Sequence, residues 1–287
     1  EIEVFRRAPS DPARAVRATS MTITPTTDDT GAFRVWGLPP GDYLVGARPN
    51  RFVAPPADQE GAREGYAVCV NYARNQEAAE AVVADIVAAG GRAIAVQGDV
   101  AKRSEAVRLF DRVDRELGAV TALVNNAGVT GPLVPVEDMD EKALDQIFGV
   151  NVAGLFWCCG EAVRRMARKH GGQGGSIVNV GSIASRYGGM PGMIAYSSSK
   201  GAVDSFSVAL AKEVGHEGIR VNCLRPGTTR TDILEPLGGD ALMARVAAST
   251  PLGRVGDPDE IAEAVLWLLS DRASFTHGAI LDVSGGR

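Results

Sequence analysis

The sequence predicts an α/β protein whose body is a doubly wound parallel sheet, incomplete at its N-terminal unit and preceded by a short β-hairpin segment. Two observations carry this. From residue 65 onward, short apolar runs alternate with stretches that repeat apolar residues every three or four positions. That is the pattern of strands buried on both faces with helices laid over them. Ahead of that point the punctuation changes: eight of the fifteen prolines (Pro9, Pro12, Pro25, Pro39, Pro40, Pro49, Pro55 and Pro56) fall in the first sixty residues, where no helix of normal length is periodic. The chain therefore reads as a β-rich fragment with linker, 1–61, and a larger truncated α/β body, 62–287.

In the fragment, 32–36 alternates, 43–45 is a second apolar run, and the Gly-Leu-Pro-Pro-Gly-Asp between them is turn-forming, which predicts a hairpin too small to be stable alone. In the body, strands are expected at 67–70, 93–96, 122–124, 176–180, 220–224 and 279–283. Helices are expected between them at 76–89, 104–117, 141–168, 194–214 and 258–269, each with one apolar face. No internal repeat or low-complexity tract interrupts this order.

Composition narrows the function. With 287 residues, 45% of them hydrophobic, 23% charged and a net charge of -5, the chain has material for a sizeable core. It is neither a disordered acidic tail nor a binder that relies on a basic nucleic-acid-facing surface. No run approaches the roughly 18 to 20 uninterrupted apolar residues of a membrane span, and the first residues lack the basic-then-apolar order of a signal peptide. A cytoplasmic protein with no nucleic-acid or membrane partner is the expectation, although the sequence opens on Glu1 rather than Met. Cys69, Cys158, Cys159 and Cys223 form no CxxC pair, and His170, His216 and His277 are far apart, so buried free thiols and no metal site are expected.

The strongest chemical constellation is Tyr196 and Lys200, four residues apart and so on one helix face, with Ser182 fourteen residues earlier at a strand end and Asn151 in an earlier helix. A lysine charge about 4 Å from a phenol at an effective dielectric of about 20 is worth about 4 kcal/mol, enough to lower a tyrosine pKa by up to about three units. That would make Tyr196 a usable proton donor and acceptor. Alone, the Tyr-x-x-x-Lys spacing is weak and favours a plain helix surface.

Together these residues resemble the short-chain dehydrogenase/reductase family over about residues 62–287. The resemblance also rests on Asn125-Asn-Ala-Gly128, Gly98-Asp-Val100, Asn151 in Val-Asn-Val-Ala-Gly, 225–231 and the ending 278–286. It implies a dinucleotide-binding fold of the Rossmann type. By the same resemblance Tyr196 is the acid/base, Lys200 lowers its pKa and holds the nicotinamide ribose, Ser182 orients the carbonyl, and Asn151 helps hold a relay water. The implied reaction moves a hydride between NADP(H) and a small carbonyl or secondary alcohol.

Several of these positions read two ways. Asn125, Ala127 and Gly128 suit a strand stop as well as a close approach of cofactor to backbone. Asp99, beside Val100, suits a helix cap or an acceptor for the adenine amino group. Pro226 and Gly227 suit a loop turn or, with Thr231, a cradle for the carboxamide. Arg74 stands where an NAD enzyme would place a carboxylate, which favours NADP, or it decorates a helix start. The region 232–254 offers Ile233, Leu234, Leu237, Leu242 and Met243 as an apolar cover or as the face of an ordinary amphipathic helix. Phe148, Phe156, Trp157 and Phe206 lie on the two helices through which the family commonly pairs, implying a homodimer or homotetramer.

The family's first strand, TGxxxGxG turn and helix have no counterpart. The glycines ahead of Gly65 are Gly31, Gly37, Gly41, Gly46 and Gly61, and no three have the required spacing. In their place 27–45 resembles carboxypeptidase-regulatory-like β-sandwich modules. An impaired relic or fusion product that keeps the triad and binds cofactor poorly is thus the alternative function. The slot left by the missing strand, between the strands at 67 and 122, cannot stay unpaired. The best filler is 43–47, running parallel, with Gly46 the only glycine near the pyrophosphate; a hairpin with 32–36 outside the sheet is the competing outcome.

Overall fold

The computed structural model describes residues 5–7, 15–17, 43–47, 65–231 and 239–287. Contacts divide the chain into two units, Glu1–Thr30 and Gly31–Arg287. In the first, strands β1 (Phe5–Arg7) and β2 (Ala15–Arg17) pair antiparallel, an arrangement the sequence pattern does not foretell.

The second unit is a seven-stranded sheet of order β5-β4-β3-β6-β7-β8-β9. Its strands are β3 (Tyr43–Ala47), β4 (Ala67–Tyr72), β5 (Arg92–Gln97), β6 (Val120–Asn125), β7 (Gly175–Val180), β8 (Ile219–Pro226) and β9 (Ile280–Val283). The six expected strands are all present and mutually parallel where they pair. Helices α2 (Arg103–Glu116), α4 (Gly154–Met166) and α6 (Ile194–Val214) cover one face, with Leu109, Phe110, Met166 and Ile177 in the core between. Helices α1 (Gln76–Ala88) and α8 (Pro258–Leu269) cover the other, over Val70, Ile86, Leu224 and Leu268. Apolar residues on both sheet faces are thus satisfied by this two-sided cover.

The vacant slot is filled, and by the expected residues. β3 lies between β4 and β6, but it runs antiparallel to both: Tyr43 is opposite Asn71 and Ala47 opposite Ala67. The parallel direction is therefore corrected, and so is the hairpin of 43–45 with 32–36, since both sides of β3 are occupied by β4 and β6. Residues 32–36, and 27–42 that carry the β-sandwich resemblance, lie outside the described residues. An antiparallel strand completes the ladder as well as a parallel one and needs no crossover helix. It reverses the edge at which the chain turns: β3 ends at the amino-terminal edge of the sheet, where β4 begins. Gly46, opposite Val68 and Ala122, sits in the amino-terminal half of the sheet, away from the edge where a pyrophosphate would bind, which corrects its expected place.

The single helix expected at 141–168 is α3 (Glu141–Phe148) and α4 joined by a wider π-type turn, Gly149–Ala153. The run Glu141–Met166 is long and apolar enough to cross a membrane by length and composition, yet 44% of its most apolar window is buried inside the fold, where it packs on β6 and α2. At the entry to β7, Gly174 has φ +83°, and a Cβ there would lie 2.4 Å from the Gly218 carbonyl oxygen, so only glycine fits. Two further helices, α5 (Ala184–Tyr187) and α7 (Gly239–Ser249), stand at the carboxyl edge.

Candidate active site

Three elements deliver the expected side chains to the carboxyl edge. Ser182 leaves β7 and enters α5, its Oγ accepting from the Ala184 amide at 3.2 Å. Tyr196 and Lys200 sit one turn apart on α6. The phenol of Tyr196 faces Ser182 across the same cavity wall. Lys200 is 4% exposed; its Nζ donates to the Val180 carbonyl at 2.8 Å and lies 5.8 Å from the Tyr196 ring centroid.

The electrostatics differ from the sequence argument. Burial raises the Tyr196 pKa above its usual value, with the Ser182 side chain opposing. Burial also pulls Lys200 down to about 8, against the raising effects of Cys223 and Asp204. The expectation that Lys200 lowers Tyr196 is therefore not met here. Removing both groups from water outweighs their mutual effect, and the ammonium points to a carbonyl rather than to the phenol oxygen.

Asn151, in the π-type turn, is buried and fully engaged. Its Oδ1 accepts from the Val129 amide at 2.8 Å, and its Nδ2 donates to the Val129 carbonyl at 3.0 Å and to Ser199 Oγ at 2.9 Å. Ser199 Oγ in turn donates to the Tyr196 carbonyl at 2.7 Å. The side chain thus ties the loop after β6 to the Tyr196 turn. Gly128 closes this corner: a Cβ there would lie 3.3 Å from Lys200 Nζ and 3.4 Å from Asn151 Oδ1. Asn125 joins β6 to β7 by donating to Asn179 Oδ1 at 2.8 Å.

A cavity of about 600 Å³ opens against Ser182, Tyr196 and Lys200. Gly128, Pro226, Gly227 and Thr231 also line it, whereas Asn125, Ala127 and Asn151 stand behind its wall. Arg74, Asp99 and Val100 do not reach it. Arg74 is exposed just beyond β4. Asp99 takes a local turn, its Oδ1 accepting from the Ala101 amide at 3.1 Å. Leu242 lines the cavity and Met243 packs beside it, while Ile233, Leu234 and Leu237 lie outside the described residues. Sequence reasoning missed Tyr187, Met190, Met193, Arg245 and Arg287 in the lining, since none belongs to a motif. No group of His, Cys, Asp and Glu able to hold a metal occurs among the described residues, and the four cysteines are free and buried.

Comparison with known proteins agrees with this fold. The family model described as Enoyl-(Acyl carrier protein) reductase matches residues 56–287. The chain is 42% identical over 226 residues to the uncharacterized oxidoreductase YgfF of Escherichia coli (strain K12), covering 79% of this chain and 92% of that protein. It is 35% identical over 225 residues to the 3-oxoacyl-[acyl-carrier-protein] reductase FabG of Staphylococcus aureus (strain Mu50 / ATCC 700699), covering 78% and 89%. A solved structure of a mutant Serratia marcescens short-chain dehydrogenase/reductase superposes with a TM-score of 0.70 at 30% identity, covering 77% of this chain and 86% of that one.

Proposed function

The chain belongs to the short-chain dehydrogenase/reductase family of oxidoreductases, and from that premise we propose that it reduces a small carbonyl compound, or oxidises the matching secondary alcohol, with NADP(H) as hydride partner. The observation that carries this is the convergence of Ser182, Tyr196 and Lys200 on one cavity wall. In the reductive direction the carbonyl carbon takes a hydride and its oxygen takes the Tyr196 proton, leaving an alcohol and a phenolate that solvent reprotonates. Ser182 holds the same oxygen by a hydrogen bond. The raised pKa of Tyr196 keeps the phenol protonated at neutral pH, which suits it to the reductive step. Asn151 holds the backbone after β6 against the Tyr196 turn and so fixes the floor of the site.

The residues fit the two ends of the cofactor better than its middle. When bound, the reduced nicotinamide supplies the hydride. Lys200, Pro226, Gly227, Thr228 and Thr231 would hold its riboside end, where Lys200 forms no ion pair among the described residues. Arg74, exposed beyond β4, would meet a 2'-phosphate, and Asp99 with Val100 would flank the adenine. For the pyrophosphate, the antiparallel β3 ends at the amino-terminal edge, so among the described residues no helix N-terminus following it supplies the usual backbone donors at the carboxyl edge. The proposal therefore includes a loose grip on the dinucleotide. The cytoplasm and a homo-oligomer complete the reading.

Protein-dependent NADPH fluorescence tests binding, and NADPH consumption with a carbonyl panel tests turnover. Tyr196→Phe removes only the hydroxyl, so turnover should fall by several orders of magnitude with the melting curve unchanged. Equal turnover in that variant would reject the role of Tyr196.

A further inference from the structure

We propose that the cavity takes a substrate bearing a carboxylate, a keto acid or the corresponding hydroxy acid, and that Arg245 and Arg287 receive that group; this deepens, and rests on, the carbonyl-reductase reading. Both arginines line the same cavity as Ser182 and Tyr196. Each is applied to the segment that runs between those two residues. Arg245, on α7, places Nη2 3.5 Å from Met190 Sδ, and the Arg287 guanidinium lies over the Tyr187 ring at 5.2 Å. They thus belong to the substrate side rather than to the Thr228–Thr231 side on which the nicotinamide end would lie.

Some arginines of the fold are ion-paired among the described residues and others, these two included, are not. Arg186 and Arg225 pair with Asp282, Arg225 also with Asp204, Arg230 with Asp257 and Arg254 with Glu260. Among the described residues Arg245 and Arg287 have no such carboxylate, and no Asp or Glu lines the cavity. Among the described residues the cavity is lined by two guanidinium groups and the Lys200 ammonium and by no Asp or Glu side chain, against an apolar wall of Met193, Leu242 and Val246. A planar carboxylate is the group a guanidinium fork matches best. The wall accommodates a short carbon chain between that carboxylate and a carbonyl placed at Ser182 and Tyr196.

The test measures binding by titration calorimetry to the full chain, using pyruvate and levulinate, each beside its methyl ester. At least one acid should bind about tenfold more tightly than its ester at low salt, and the preference should shrink at high salt. The double variant R245L/R287L should lower acid affinity to that of the ester, while R108L, a matched change on α2 remote from the cavity, should keep the preference. Acid and ester binding alike, binding of neither, or a preference that survives R245L/R287L overturns the proposal. NADPH consumption is measured separately. A clear acid preference without turnover of any substrate would defeat the reductase reading and leave the site standing, whereas turnover of acids and esters alike would do the reverse.

Discussion

Lys200 shows how far a single side chain departs from its free behaviour. Its folded pKa, about 8, lies below the ordinary 10.5, so between these values the unfolded chain binds more protons than the folded one and stability rises with pH. Below about 8 the fold carries the full cost of a buried ammonium. Lys200→Met should therefore raise stability at pH 7, by on the order of 2 kcal/mol, with the gain shrinking as pH climbs toward 10.5, while turnover is lost. Urea melts at several pH values check this. In the wild type, reductive turnover should hold steady through neutral pH and fall above about 8 as the ammonium is lost, because the Tyr196 phenol stays protonated throughout. At the opposite end of the proposed cofactor site, Arg74→Asp sets a carboxylate against a 2'-phosphate and should move preference from NADP toward NAD. An unchanged ratio of the two affinities would remove Arg74 from the site.

Among the elements, those with strong periodicity were legible to their last residue: α6 and α8 occupy the spans their apolar repeats predict. Tyr196, Lys200 and Ser182 were legible because their spacing survives in the fold unchanged. The direction of β3 was not, since the short run Tyr43–Ala47 carries no signal that distinguishes one direction from the other. The π-type turn around Asn151 was hidden for a related reason: one extra residue in a helical turn barely disturbs an apolar repeat. Arg245 and Arg287 carried no signal because an exposed arginine has no pattern until a cavity forms beside it. The role of β3 can be separated from that of the first unit by truncation. A chain beginning at residue 31 keeps every strand of the seven-stranded sheet and should melt cooperatively like the full chain, whereas one beginning at residue 48 exposes the flanks of β4 and β6 and should aggregate or lose cooperativity. Circular dichroism melts of the two distinguish these outcomes.

At the scale of the whole molecule, helices α3, α4 and α6 carry exposed apolar side chains. Phe156 on α4 is 52% exposed and meets Phe206 of α6 edge-on at 4.5 Å; Ile194 at the start of α6 is 50% exposed and Leu144 on α3 40%. A monomer leaves this patch in water, while a second copy related by a twofold axis would cover it with its own. Light scattering at micromolar concentration should give two or four times the 30.0 kDa chain mass, and Phe156→Glu should shift it toward one.

The antiparallel course of β3 also changes what kind of covalent link the sheet requires. A parallel strand in that slot must be joined to its neighbour by a right-handed crossover over the face of the sheet. A strand running the other way enters and leaves along its own line, held by main-chain ladders on both sides. Nothing in that pairing obliges it to be part of the same polypeptide. The body of the molecule is thus a natural split protein: a synthetic peptide spanning Tyr43–Ala47, added during refolding to the chain that begins at residue 48, should restore solubility and a cooperative melt by donating the strand in trans.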